Sequence, residues 1–505
     1  GDRVMGFVSF ERSVAARHLL LAGIAAGSMV AASAAVAQTT QNAQSDASQL
    51  ADNAPSPDDV IVTASRISRS PIAAQPTEAI TASEISKRGY TNLGTALQEL
   101  PVFSTPSNSP VGSQGSFGAG QTFVNMYNLG SQRTLTLVNG NRFVTSATSS
   151  IFGVVAGSPV DFAALPVNLV DRIETVSVGG APIYGSDAIA GTVNVILKKN
   201  FEGLAFNAQN GISQKGDGGN YNLSLLAGKN FSEGRGNITL SVQYDKQNGI
   251  PTSNRFYTSA DGPFFTTAPK GSAYRQQLYY GGQRYEVFTN TGMPMFADDV
   301  PIYGGAAAAA ITDAQGRPLI FSPSGRLTPF NPGQQTANAL LQAGGDGFRI
   351  RDYDNFLTDS SRFSATALFH YDFSDRIRFS GEAWYGRVIA TNLRAQPFYN
   401  TALFGAAGET NGNLIMSTAN PFLSAADRQT IINNLAANGM DTNSFLLARA
   451  NTDLSTGSFR TKTDLYRIVG GFDGDFNVGD RKFTWEAKAI YGRSDTSTTT
   501  REVVT

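Results

Sequence analysis

The chain has 505 residues, 39 Lys and Arg against 40 Asp and Glu, and a net charge of -1, so no basic surplus points to a nucleic-acid partner. It has no cysteine, which excludes disulfides, thiol catalysis and thiolate metal sites. Charged residues make up 16%, below the roughly 25% of soluble domains, and the 52 glycines imply many turns.

Residues 1–37 read as a signal peptide. Arg12 and Arg17 precede an apolar run from Leu19, which ends in Ala35-Val36-Ala37 before Gln38. A membrane anchor is the alternative, but the run is built on Ala, Gly and Ser rather than Leu and Ile. Residues 38–57, rich in Gln, Ala, Ser, Asn and Asp, have little to bury and read as a disordered periplasmic tether. Residues 58–66 then hold a short β-prone segment, Asp59-Val60-Ile61-Val62-Thr63-Ala64, that would suit the first strand of a folded domain.

Residues 67–200 carry the signals of a compact α+β domain. Thr81 and Glu84 have capping-box spacing. Leu93, Ala96, Leu97 and Leu100 recur at helical spacing, and Pro101 ends that run. Thr134 to Val138 reads as a strand, Asn139-Gly140 as a hairpin turn, and Arg142 to Thr145 as the return. Pro166 opens a turn that delivers the chain to a strand at Ile173, Val176 and Val178. Gly179-Gly180 reverses it, and Val193, Val195 and Ile196 form the next strand.

From residue 201 the pattern changes to long period-two alternation. In one segment Phe363, Ala365, Ala367, Phe369, Tyr371 and Phe373 share a face opposite Ser364, Thr366, His370 and Asp372. Another places Phe483, Trp485, Ala487, Ala489 and Tyr491 on one side. Strands are expected near 204–212, 221–230, 237–247, 362–373, 376–388, 464–476 and 482–494. They exceed the 5–6 residues usual in soluble sandwiches. Short turns alternate with long joins near 249–360 and 389–462, as in transmembrane barrels whose apolar face meets lipid. No stretch in 201–505 is apolar enough for a membrane helix, so a span there would be a barrel.

Residues 171–199 carry the most specific signal. Arg172, Ile173, Glu174, Tyr184, Gly185, Ser186, Asp187, Ala188, Gly191, Val193, Asn194, Val195, Ile196 and Lys198 together resemble the end of the plug domain of TonB-dependent outer-membrane receptors. Residues 128–143 resemble the core of that plug. The resemblance implies an α+β plug followed by antiparallel transmembrane β-barrel strands. It makes 201–505 the N-terminal part of an outer-membrane barrel with long extracellular loops. Barrels of such transporters have about 22 strands, so the barrel is expected to be incomplete in this chain; a small complete barrel is the rival. The resemblance also turns Asp59, Val60, Ile61, Val62, Thr63 and Ala64 into a TonB box, which pairs by strand addition with the periplasmic energy-coupling protein TonB. It implies that Arg133, Arg142, Asp171 and Glu174 hold the plug in the barrel by charged contacts. Arg172, Asn139, Gly140, Tyr184, Gly185, Gly191 and Asn194 complete the implied plug core. Two departures stand out: Tyr127-Asn128 replaces an Arg-Gly, and Ser177-Val178 replaces a charged pair.

The implied function is energised uptake of a scarce extracellular small ligand across the outer membrane, most often an iron-siderophore complex. Oligosaccharide, cobalamin and haem are the alternatives, and a passive porin is the rival of another class. Outer-membrane lipid and TonB are the other partners. No catalytic group, protein metal site or cofactor is expected: the two histidines are His18, in the signal, and His370, on a strand's polar face. Glycine-rich residues 112–120 lack the Lys of a phosphate loop. Arg255-Phe256-Tyr257 and Tyr279-Tyr280 suit ligand contact or loop packing equally.

Overall fold

A computed structural model of the chain describes residues 77–104, 118–146, 159–176, 184–267, 277–298, 307–338, 340–393, 399–400, 413–454 and 458–500. Residues 1–76, including Asp59, Val60, Ile61, Val62, Thr63 and Ala64, lie outside the described residues, as do Ser177 and Val178.

The N-terminal mixed domain starts with β1 (Thr77–Thr81), α1 (Ala82–Lys87) and α2 (Leu93–Gln98). The capping box forms as its spacing predicts: the Glu84 amide donates to Thr81 Oγ1 at 3.3 Å, and the Thr81 amide to Glu84 Oε2 at 2.8 Å. Those bonds hold the Glu84 carboxyl below its ordinary pKa. Leu93, Ala96 and Leu97 of α2 are buried, as the helical spacing requires.

Four more strands follow: β2 (Thr134–Val138), β3 (Asn141–Arg142), β4 (Val170–Val176) and β5 (Gly191–Leu197). Their order is β1-β4-β5-β2-β3, with β2 and β5 parallel and the other pairs antiparallel. Asn139 and Gly140 take φ of 51° and 79°, the left-handed pair that a two-residue hairpin turn needs. Gly191 sits at φ 146°, where a Cβ would lie 2.6 Å from the Val176 carbonyl oxygen and 2.7 Å from Met126 Sδ. Both β2 and β5 are almost wholly buried, including the polar side chains of Thr134, Thr136, Thr192 and Asn194 that stand between their apolar residues.

The later strands form one seven-stranded antiparallel sheet, the wall. It comprises β6 (Gly203–Gly211), β7 (Asn220–Phe231), β8 (Gly236–Gln247), β9 (Asp359–Ser374), β10 (Ile377–Leu393), β11 (Ser458–Val478) and β12 (Arg481–Thr500). The order is β12-β11-β10-β9-β8-β7-β6, so every wall strand pairs with its neighbours in sequence. β11 and β12 stay in register over residues 459–478 and 481–500. One face exposes large apolar side chains, among them Leu223, Leu240, Phe363, Phe373, Ile468 and Tyr491. The other lies against the mixed domain and carries Ser224, Thr239, Ser241, Gln243, Thr366 and Thr463, all buried. Antiparallel alternation puts the three short turns at one end of the wall and the two long joins at the other.

Those joins are folded. The strand Met293–Asp298 from the first pairs with Ser444–Ala450 from the second, Met293 opposite Ala448. A cluster of Ile311 and Leu319 with Leu423, Ile431, Leu435, Phe445 and Leu447 draws on both joins. The helix α3 (Ala425–Ala437) starts on the Ser424 side chain, which accepts from the Asp427 amide at 3.1 Å. Arg326 reaches it from the other join and pairs with Asp427 at 2.7 Å.

Candidate functional site

Where the mixed domain meets the wall, the two halves share one hydrophobic cluster. Leu226, Leu368, Trp384 and Leu465 point inward from the wall and join Phe143, Phe162, Leu165, Leu169 and Val195 of the domain. A fully buried side chain of this kind contributes about 1.5–3 kcal/mol. The wall's inward face is therefore polar with an apolar strip where the domain sits.

Beside that strip lies a buried charge cluster. Arg467 of β11 is fully buried, pairs with Glu382 of β10, and lies over the rings of Phe143 (5.1 Å) and Trp384 (5.9 Å). Phe143 and Trp384 meet edge to face at 5.2 Å. Trp384 Nε1 donates to Glu382 Oε2 at 3.1 Å, and Asn139 Nδ2 donates to Glu382 Oε1 at 2.9 Å. Asn139 Oδ1 meanwhile accepts from the Leu197 amide at 3.1 Å, so one turn residue ties wall carboxylate to the end of β5. Arg467 Nε and Nη2 have no hydrogen-bond partner among the described residues, so its charge rests on Glu382 and the two rings.

A second contact is uncharged. Gln243 Oε1 of β8 accepts from the Val167 amide at 3.0 Å and Ser241 Oγ donates to Asn168 Oδ1 at 2.8 Å. Gln209 Nε2 of β6 donates to the Gly89 carbonyl at 3.1 Å. A third lies around Asp161, which is buried and accepts through Oδ1 from the Thr122 (2.8 Å) and Ala163 (2.9 Å) amides. Burial pushes its pKa from 3.8 to about 6, against those two amides and the guanidinium of Arg362 on the wall. Arg362 also reaches Thr91 Oγ1 at 3.3 Å.

Arg142 pairs with Asp187 at 2.6 Å and donates to the Tyr184 carbonyl at 2.6 Å. Arg172 bridges Asp171 (2.9 Å) and Glu174 (2.8 Å). Arg133 is exposed and donates to the Leu129 carbonyl at 2.6 Å. These contacts of Arg133, Arg142, Asp171 and Glu174 lie within the mixed domain. Glu382 and Arg467, both on wall strands, supply an ion pair at the seam. Asn194 is buried and its Oδ1 accepts from the Gly140 amide at 3.0 Å, fixing the turn that carries Asn139. Gly185 (φ 87°) opens the short helix Ser186–Ala188 beside Tyr184. Glu382 and Arg467 were missed because period-two alternation marks an inward position without saying what it meets. The available signal was a charged residue on strands whose inward neighbours are small or neutral. Tyr127 and Asn128 both take left-handed φ, 53° and 57°, at the point where the related pattern has Gly.

Residues 72–192 match the family model described as TonB-dependent Receptor Plug Domain. Among solved structures, the chain is similar to the ferric enterobactin receptor of Pseudomonas aeruginosa, at 14% identity and TM-score 0.42, with 84% of this chain and 41% of that chain covered. It is also similar to the siderophore receptor PiuA of Acinetobacter baumannii (13% identity, TM-score 0.36, 84% and 46% covered) and to the ferric citrate transporter FecA (12%, 0.37, 85% and 49%). The chain spans about half the length of these proteins or less. Residues 72–192 are therefore matched to the plug domain of TonB-dependent receptors, and an antiparallel wall folds against that domain.

Proposed function

We propose that the protein takes up a scarce extracellular ligand across the outer membrane, driven by TonB through the segment Asp59 to Ala64, and that the ligand is an iron-siderophore complex. The observation that carries this reading is the seat of the plug. The domain seats on the wall through Asn139 against the Glu382–Arg467 pair and through an apolar strip, so a barrel closed from such a wall holds a stopper that work must displace. A passive porin has no use for such a stopper. The iron-siderophore assignment rests on the family resemblance alone; oligosaccharide, cobalamin and haem are its competitors. The charge placement of the seam suits a movable contact. Asn139 is the plug's hydrogen-bond link to Glu382, and its loss leaves the wall pair intact.

The test uses the full-length receptor with Val60→Pro, which removes a strand-pairing donor. Uptake of a ferric siderophore falls to the level of cells lacking TonB, while binding at the cell surface persists. Equal uptake by variant and wild type refutes energised transport through this segment.

A further inference from the structure

The outward face of the wall is banded along its height. Toward the short turns it carries Phe379 against Phe472 at 5.1 Å and Phe476 against Phe483 at 5.6 Å. Toward the long joins a second row of rings runs from strand to strand. Tyr221 meets Tyr244 at 5.9 Å, Phe363 meets Tyr385 at 6.1 Å, and Tyr385 meets Tyr466 at 5.2 Å. Between the rows, β10, β11 and β12 turn outward only Gly381, Ala383, Ile468, Gly470, Ala487 and Ala489. Phe476 and Tyr466 on β11 are about 33 Å apart along the strand, which a barrel tilt of roughly 40° reduces to the ~25 Å of an apolar band.

At and beyond the second row, on the side of the long joins, the same face becomes cationic. Arg387 of β10, Arg460 and Lys462 of β11 and Arg493 of β12 stand there with Asp464 and Asp495. Asp464 is shared by Arg387 at 2.6 Å and Lys462 at 2.8 Å, and Arg493 takes Asp495 at 2.7 Å. Arg460 is exposed and has no ion pair among the described residues. The group therefore carries surplus positive charge. The register sets Thr391 and Thr499 on either side of Arg460, and Ser497 beside Lys462. Neighbouring strands lie about 4.8 Å apart, so these cations and hydroxyls share one small patch. Lys246 of β8 is also near the long joins, but it closes one-to-one on Asp359 at 2.6 Å.

A phosphate offers several acceptor oxygens and a concentrated negative charge, which a free guanidinium, a half-shared ammonium and flanking hydroxyls serve together. Position selects its source. The patch faces away from the lumen and borders the tyrosine row, so a ligand there has its polar group at the membrane surface and its body along the apolar band. Resting on the reading of 201–505 as part of an outer-membrane wall with the long joins outside, we propose that Arg460 and Lys462, with Arg387 and the hydroxyls of Thr391, Ser497 and Thr499, form a site for the phosphate of a lipid headgroup in the outer leaflet.

The experiment uses the full-length receptor purified in a neutral detergent, with bound lipid counted by native mass spectrometry. The probes are lipid A, lipid A stripped of phosphate by a phosphatase, and inorganic phosphate as competitor. Losing two cations beside a charged headgroup is worth a roughly thirtyfold change, so Arg460→Gln/Lys462→Gln is expected to weaken lipid A binding by about that factor. Arg460→Lys/Lys462→Arg, which keeps both charges, and Lys246→Gln, which removes a charge outside the patch, are expected to stay close to wild type. Wild type is expected to prefer the phosphorylated lipid, and the Gln variant to lose that preference. Equal lipid A binding by wild type and the Gln variant, no preference for the phosphorylated form, or an equal loss in Lys246→Gln overturns the proposal. Displacement of lipid A by millimolar inorganic phosphate overturns the lipid as source. Recovery of the receptor in the soluble fraction overturns the wall reading and the site with it, whereas the other failures leave that reading standing. No step needs TonB, so the result is independent of the Val60→Pro cells.

Discussion

Asp161 carries a carboxyl group into the plug with one oxygen bonded to two amides and the other, Oδ2, without a hydrogen-bond partner among the described residues. The gap between about 6 and its ordinary 3.8 corresponds to about 3 kcal/mol. The folded-state pKa is raised, so the stabilisation is complete below pH 3.8 and is lost as pH rises through about 6. Plug stability in the detergent-solubilised receptor should therefore fall across that window, as read by urea unfolding. Asp161→Asn should flatten the slope and, above pH 7, gain about 1–3 kcal/mol, less whatever its unpaired amide costs. At the seam, Glu382→Gln should destabilise the plug's seat by about 3 kcal/mol, because Arg467 stays buried without its counter-charge. Glu382→Gln/Arg467→Met should recover most of that loss; a double variant no better than the single one would show that the pair's charge is not what matters.

Among the elements, the wall strands were the most legible. Their alternation located β6 to β12 because a strand between lipid and a filled lumen must change chemistry at every residue. The apolar strip of Leu226, Leu368, Trp384 and Leu465 was hidden by the same rule, since an inward apolar residue simply breaks the pattern. In the plug, the capping box and the Asn139-Gly140 turn are local and were readable, whereas the β1-β4-β5-β2-β3 order needs pairings across the whole domain. The joins were opaque because their strands are short and pair between joins, Met295 with Leu446 for example. Leu447, buried in the shared cluster, tests that union. Leu447→Asp should cost about 3 kcal/mol or more. It should also raise proteolytic nicking in both joins while leaving the wall resistant. Nicking confined to 413–454 would show that the joins fold separately.

For the whole molecule, alternation, turns and the 171–199 motif were enough to name a plug followed by a barrel wall, because each depends on spacing a few residues apart. They also fixed which wall face is apolar, since side chains alternate whatever the strand pairs with. The partners of individual charges were decided only in three dimensions. Arg142 pairs with Asp187 and Glu174 with Arg172, while Glu382, itself paired with Arg467, meets Asn139 across more than 200 positions of chain. A buried charge is stable only where packing removes water and supplies a counter-charge at once, and that coincidence belongs to the folded pair of surfaces rather than to either segment.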